Sequence, residues 1–209
     1  MIPASLRVKK IKICIVCEGY EEADYLTRLK ELDVWNDKYD FEIANAKSEG
    51  YVPALYKEKF QSDSYDLVLA MYDTDKPPYK VFSTVITKID ELHGQDTWKN
   101  VSIFSNPCSM QIQLSHFGDV SLKTSGKKTN AQKVEELTEI SDYDAKIEQR
   151  DKINKQITKE NYLDMKTRIK NILQDYTNNP STNFYEFLVY FEDSCSNWID
   201  VINKKINNN

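Results

Sequence analysis

The feature that most constrains this chain is the order in which strand-like and helix-like patterns follow one another over its first half. Ile11 to Cys17 (IKICIVC) is a mostly apolar run of strand length. Ala23, Leu26, Leu29 and Leu32 then recur at near-helical spacing, which predicts an amphipathic helix over about 20–34. Phe41 and Ile43 alternate with polar neighbours in a second short strand, and a helical pattern follows across 52–61. Leu67 to Tyr72 (LVLAMY) is apolar throughout, as expected of a central strand covered on both faces. Pro77-Pro78 opens a helix with a stripe of Phe82, Val85, Ile86 and Ile89, and Val101 with Ile103 marks a fourth strand. Strand and helix in alternation predict an α/β fold, a small parallel sheet flanked by helices.

The pattern is less decided afterwards. MQIQLSHF alternates with period two, yet Met110, Leu114 and Phe117 also share a helical face, and Ser105-Asn106-Pro107 supplies a cap and a first-turn proline. Helix is the expectation. Character changes after Gly118, so the expected division is an α/β domain over 1–118 and a second part over 119–209. The second part begins with a polar stretch, 119–133, in which Lys123, Lys127, Lys128 and Lys133 face only Asp119. It reads as an exposed basic loop. A mainly helical extension follows, with one stripe of Tyr162, Met165, Ile169, Ile172, Leu173 and Tyr176. A terminal helix is expected to carry Phe184 through Ile202, opened by the capping-box-like pair Asn183 and Glu186. The closing Asn207-Asn208-Asn209 is expected to fray.

Composition removes several function classes. At 40% hydrophobic residues over 209 positions, the chain has material for a core. Its five glycines form neither G-x-G-x-x-G nor G-x-x-x-x-G-K-[ST], which argues against dinucleotide-binding and P-loop sites. Two histidines exclude metal centres built mainly on imidazole, so any chemistry falls to carboxylates. A net charge of -5 is not that of a protein basic all over, although a local basic patch can still meet nucleic acid. Cys14-x-x-Cys17 lacks a second pair to complete a zinc site, and on a strand the two thiols point to opposite faces; buried, reduced cysteines are expected. The opening MIPASLRVKKIK has no apolar leader core, and no apolar run approaches the roughly 20 residues of a membrane span. A cytoplasmic protein without membrane contact is the expectation.

The acids carry the functional signal. Glu18 follows the first strand directly, and Asp73 and Asp75 follow the long central strand. In a parallel sheet both positions lie at the carboxyl edge, where open α/β folds bind ligands. Glu22, four residues beyond Glu18 at the start of the first helix, can face the same crevice. Four converging carboxylates repel one another unless a cation joins them, and a hard divalent ion, Mg²⁺ or Mn²⁺, is the natural counter-charge. Acids after strands are also ordinary caps and turn formers, and a helix N-terminus favours them through its dipole. Spacing alone leaves both readings open.

Val16-Cys17-Glu18-Gly19-Tyr20-Glu21-Glu22 with Tyr25-Leu26, then Tyr72-Asp73-Thr74-Asp75, then Ser105-Asn106-Pro107-Cys108 running to His116-Phe117, and finally Asn179-Pro180-Ser181-Thr182-Asn183, form an ordered set. This set resembles the RloB-like branch of the Toprim superfamily and spans nearly the whole chain. The resemblance implies a Toprim-like Rossmannoid fold in which a glutamate after one strand and a D-x-D after another bind Mg²⁺. Glu18 matches that glutamate, Glu22 a second acid, and Asp73 with Asp75 the D-x-D. It also implies an association with restriction or phage-defence loci, and with it a defence-system partner protein. One position departs: family members commonly carry an acid where Met110 stands, which bears on whether one metal or two is held.

The leading expectation is therefore a divalent-metal-dependent endonuclease hydrolysing phosphodiesters of DNA or RNA. Glu18, Asp73 and Asp75 would hold Mg²⁺, with Glu22 on a second ion or on water. His116 is a candidate proton donor or phosphate contact, although a lone histidine at a helix end is more often structural. Lys76, beside the D-x-D, and the basic stretch of Lys123, Lys127, Lys128 and Lys133 are candidate nucleic-acid contacts, or simply solvated lysines. The alternative is a module that keeps the scaffold and binds nucleic acid or regulates without cleaving. A receiver domain phosphorylated at Asp73 is disfavoured because Ser105-Asn106-Pro107 stands where a lysine is needed. A topoisomerase is disfavoured by the short chain.

Overall fold

The structure, a computed structural model, describes residues 9–207. Residues 1–8 and 208–209 lie outside it, and with them most of the opening stretch read for a leader and the end of the asparagine tail. The first half follows the expected alternation: β1 (Ile11–Cys17), α1 (Tyr20–Glu31), β2 (Tyr39–Asn45), α2 (Val52–Gln61), β3 (Leu67–Asp73), α3 (Lys80–His93), the short α4 (Trp98–Val101) and β4 (Ser102–Asn106). A two-residue strand, β5 (Ser181–Thr182), completes a five-stranded sheet in the order β2-β1-β3-β4-β5. The first four strands are parallel, and β5 joins β4 antiparallel. The protein is thus α/β, with a mostly parallel sheet flanked by helices and a helical C-terminal part.

After β1 the chain crosses to β2 on one side, then returns to β3 on the other. The carboxyl ends of β1 and β3 therefore form a topological switch point, where the helices that follow diverge and leave a crevice. The Glu18 amide donates to the Met71 carbonyl at 2.9 Å, extending the β1–β3 ladder to the rim of that crevice. Central strand β3 is buried along Leu67 to Tyr72, as a strand covered on both faces must be.

Residues beyond 118 share this core. Tyr162, Met165 and Ile169 of α8 (Lys159–Ile169), with Phe184, Phe187, Leu188 and Phe191 of α9 (Phe184–Glu192), belong to the same apolar cluster as the sheet. A smaller cluster joins Cys108, Met110 and Leu114 to Val134, Tyr143 and Ile153, under the α5 (Met110–Leu114), α6 (Lys127–Thr138) and α7 (Ile147–Gln156) segments.

Four details differ from expectation. The stretch 119–133 is irregular only as far as 126, because α6 starts at Lys127. The α8 stripe stops at Ile169, and Leu173 is exposed beyond it. The single terminal helix is two, α9 and α10 (Asn197–Asn207), parted where Asp193 Oδ1 accepts from the Cys195 amide at 2.9 Å. Such a local side-chain bond offers the backbone an alternative to helix. Lastly, Asn183 stands at the N-cap of α9 as expected, but its side chain makes no capping bond there. Its Oδ1 accepts from the Phe104 amide at 2.9 Å and its Nδ2 donates to the Ser102 carbonyl at 2.8 Å, so it stitches the C-terminal segment to β4. Asn106 likewise ends β4 rather than capping α5, donating to the Tyr176 and Asn178 carbonyls.

Cys14, Cys17 and Cys108 are buried and unbridged, and Cys195 is exposed. Burial raises Cys14 to about 12 and holds Cys17 well above its usual range. Among the described residues no helix is long and apolar enough to cross a membrane.

Candidate active site: a carboxylate cleft

At the switch point lies a cleft of about 380 Å³. One wall comes from the sheet edge and α1, with Glu18, Tyr20, Glu21, Glu22, Asp73 and Asp75; the other comes from Ser109, Met110, Lys127, Asn130, Tyr143 and Arg150. Local structure aims the acids. Gly19 is extended at the N-cap of α1, and its amide donates to Glu22 Oε2 at 3.0 Å. A β-carbon at Gly19 would meet that oxygen at 3.3 Å, so glycine leaves room for Glu22 to fold back. Glu22 Oε1 accepts from the Ser109 hydroxyl at 2.5 Å. Asp73 Oδ1 accepts from the Ser109 amide at 2.8 Å, and Glu18 Oε2 accepts from the Asp73 amide at 2.9 Å. Asp75 adopts φ 56, a left-handed conformation that aspartate tolerates better than most residues. Its amide is held by the Pro107 carbonyl at 3.2 Å. The structure thus brings Glu18, Glu22, Asp73 and Asp75 to one cleft.

Their electrostatics are unrelieved. Burial, then Glu22, raises Glu18 to about 8 despite its bond from the Asp73 amide. Asp73 is pushed well above the usual range by burial and by Glu22, Glu18 and Asp75. Burial also raises Glu22. Glu49, just before α2, adds a further acid, raised by burial and by Asp75. Of the cations that line the cleft, Lys127 pairs with Glu21 at 2.9 Å and Arg150 with Asp24 at 2.7 Å, and Lys47 stands at its edge without an ion pair to the four acids. Among the described residues no lysine or arginine forms an ion pair with Glu18, Glu22, Asp73 or Asp75.

Among the described residues no group of three or more His, Cys, Asp or Glu side chains stands in a constellation that holds a metal ion. The donor chemistry does fit one. The innermost groups are oxygen donors, they repel each other, and a hard divalent cation takes such ligands. Drawing them onto one ion requires side-chain rotation from the arrangement seen.

The other expected site residues fare differently. His116 does not line the cleft. It is buried, with Nε2 against the Tyr25 hydroxyl at 2.9 Å and Nδ1 against Asn161 at 3.0 Å, and burial lowers it to about 4. It is a neutral joint between α1 and α8. Of the lysines, Lys127 lines the cleft. Lys76 and Lys128 are exposed and stand apart from it, Lys123 reaches only Ser121, and Lys133 is paired with Glu136. Met110 does line it, presenting an apolar side chain that also packs into the smaller core.

Sequence reasoning missed Ser109, Glu21, Tyr143 and Arg150. Tyr143 donates to Glu21 Oε1 at 2.8 Å, which fixes the carboxylate that holds Lys127. Glu21 and Ser109 adjoin residues singled out above and could have been included by proximity. Nothing local marks Tyr143 or Arg150, which reach the cleft only because α6 and α7 fold across it. Comparison of the chain with protein-family models, with curated proteins and with solved structures finds no match in any of the three.

Proposed function

We propose that the cleft is the active site of a divalent-metal-dependent nuclease with a Toprim-like, RloB-like arrangement. The observation that carries this reading is the convergence of Glu18, Glu22, Asp73 and Asp75 at the sheet's switch point, with no cationic side chain among the described residues paired to them. A fold that buries like charges together spends stability that a bound cation returns. Glu18, Asp73 and Asp75 would hold Mg²⁺ or Mn²⁺. When bound, such an ion neutralises phosphate charge and lowers the pKa of water. Ser109 orients two of the acids through its hydroxyl and its amide. Glu22, held between Gly19 and Ser109, is the group best fixed to take a proton from a water in the cleft. Lys127, held over the opening by Glu21, is placed to meet a phosphate. The resemblance also suggests a role in phage defence or restriction.

A non-cleaving module on the same scaffold is the second reading, favoured by Met110, whose apolar side chain occupies the wall where related sequences commonly carry an acid. The test is cleavage of duplex DNA, single-stranded DNA and structured RNA with Mg²⁺ or Mn²⁺. Wild type is compared with Asp73→Asn and Glu18→Gln. Cleavage that vanishes in both variants and in EDTA is the expected result. Binding without product supports the second reading, and cleavage surviving both substitutions moves the site elsewhere.

A further inference from the structure

Two exposed tyrosines and one lysine extend the cleft sideways. Tyr20, at the start of α1, lines the cleft yet is 53% exposed. The Arg150 guanidinium lies 5.3 Å from its ring centre and is itself clamped by Asp24 and by the Ala145 carbonyl. One face of the ring is therefore backed by a fixed cation. Beside the cleft runs a groove of about 390 Å³ lined by Tyr51, 68% exposed, with Ala54 and Leu55. Lys47 lines both the cleft and the groove, so the two are neighbours. Its backbone is left-handed, φ 67, and its amide is held by Asn45 Oδ1 at 2.6 Å. Residues with a β-carbon hold that conformation at a cost, and such strain gathers where a side chain must be aimed.

We infer that Tyr20 and Tyr51 are stacking platforms for bases of an unpaired nucleic-acid strand, with Lys47 on the backbone between them. The inference rests on the nuclease reading of the cleft. It deepens that reading by assigning the substrate class. An aromatic face accepts any base, and a lysine between two such faces follows the phosphates; together they make a sequence-tolerant track. Bases within a duplex are stacked on one another and offer no free face, so the track selects unpaired strands. Arg150 strengthens the Tyr20 platform because it stays fixed when a base arrives on the opposite side.

The test is fluorescence anisotropy with labelled oligothymidylate and oligouridylate, beside a duplex of the same length, with Ca²⁺ replacing Mg²⁺. Wild type should bind both unpaired strands more tightly than the duplex, and a preference between the two identifies DNA or RNA as the source. Tyr20→Ala and Tyr51→Ala should each weaken unpaired binding roughly tenfold, the loss typical of one stacked base, while Tyr20→Phe keeps it. An abasic position that costs wild type affinity should cost Tyr20→Ala less. Equal binding of duplex and unpaired strand, or alanine variants that match wild type, overturns the platform. If such variants still cut nucleic acid with Mg²⁺ and lose cleavage on Asp73→Asn, the nuclease reading stands without it. Failure of wild type to bind or cut any of the strands overturns both.

Discussion

Glu42 and Glu18 sit one strand apart on the same sheet and behave oppositely. Glu42, on β2, accepts from Lys59 at 2.8 Å, and that bond lowers its pKa below the ordinary carboxylate value. Glu18, at the end of β1, has acids for neighbours and is raised to about 8. Lys59 and Glu42 are surface groups whose pairing adds little to stability. The cleft acids are buried together, and among the described residues no cationic side chain is paired with them to offset their repulsion. The difference separates an ion pair complete within the fold from a site that is incomplete without something from solution.

The largest effect expected from this contrast is on cleavage. Asp73→Asn should lower it by at least the roughly 10–100-fold that follows loss of a metal site's supporting groups, read as initial rates on the best substrate. The same variant in EDTA should melt no lower than wild type, because it removes a buried group that must either stay protonated or carry a charge beside Glu18 and Glu22.

Next comes pH. Glu18 has a folded pKa of about 8 against an ordinary 4.5. A carboxyl so raised supports the folded state while protonated; its contribution is complete below pH 4.5 and is lost as pH rises through 8. The metal-free protein should therefore lose stability across that interval, by up to about 5 kcal/mol for a shift of this size, in denaturant titrations. Mg²⁺ should restore more stability at the alkaline end than at the acid end, and Glu18→Gln should flatten the profile. A profile that rises with pH in the variant and wild type alike would break the contrast.

Ser109→Ala removes the hydroxyl bonded to Glu22 and should cost about 1–2 kcal/mol near neutral pH, measured by chemical unfolding. Smallest of all, Lys59→Ala should shift stability by about 0–1 kcal/mol and leave cleavage unchanged. Should Lys59→Ala outweigh Ser109→Ala, the cleft is no more sensitive than the surface and the distinction fails.

Much of this molecule is legible before it folds. The strands from Ile11 to Asn106 are found by apolar run and alternation because each needs only its own pattern to be buried on one face or both. The acids at the strand ends are legible because a parallel sheet puts all its carboxyl ends on one side. Other elements resist for equally definite reasons. The α6 helix buries only Asn130, Val134 and Thr138, too thin a stripe to distinguish from a loop. The strand β5 is two residues long, and its polar Ser181 and Thr182 are buried because β4 supplies the partners. His116 stands in the sequence as a candidate acid or base, and in the fold as a buried joint.

By itself, the sequence determined the alternation of elements and the presence of oxygen donors after β1 and β3, since both follow from local periodicity and chain direction. Only the tertiary structure decided which groups share the cleft. Tyr143, from the connection between α6 and α7, and Arg150, from α7, enter it more than a hundred residues downstream of Glu18. Ser109 reaches two acids at once through two different atoms. Whether a carboxylate is paired or left to repel its neighbours depends on distances across the fold. Those distances are set by how α6 and α7 pack over the sheet edge, and no local pattern encodes them.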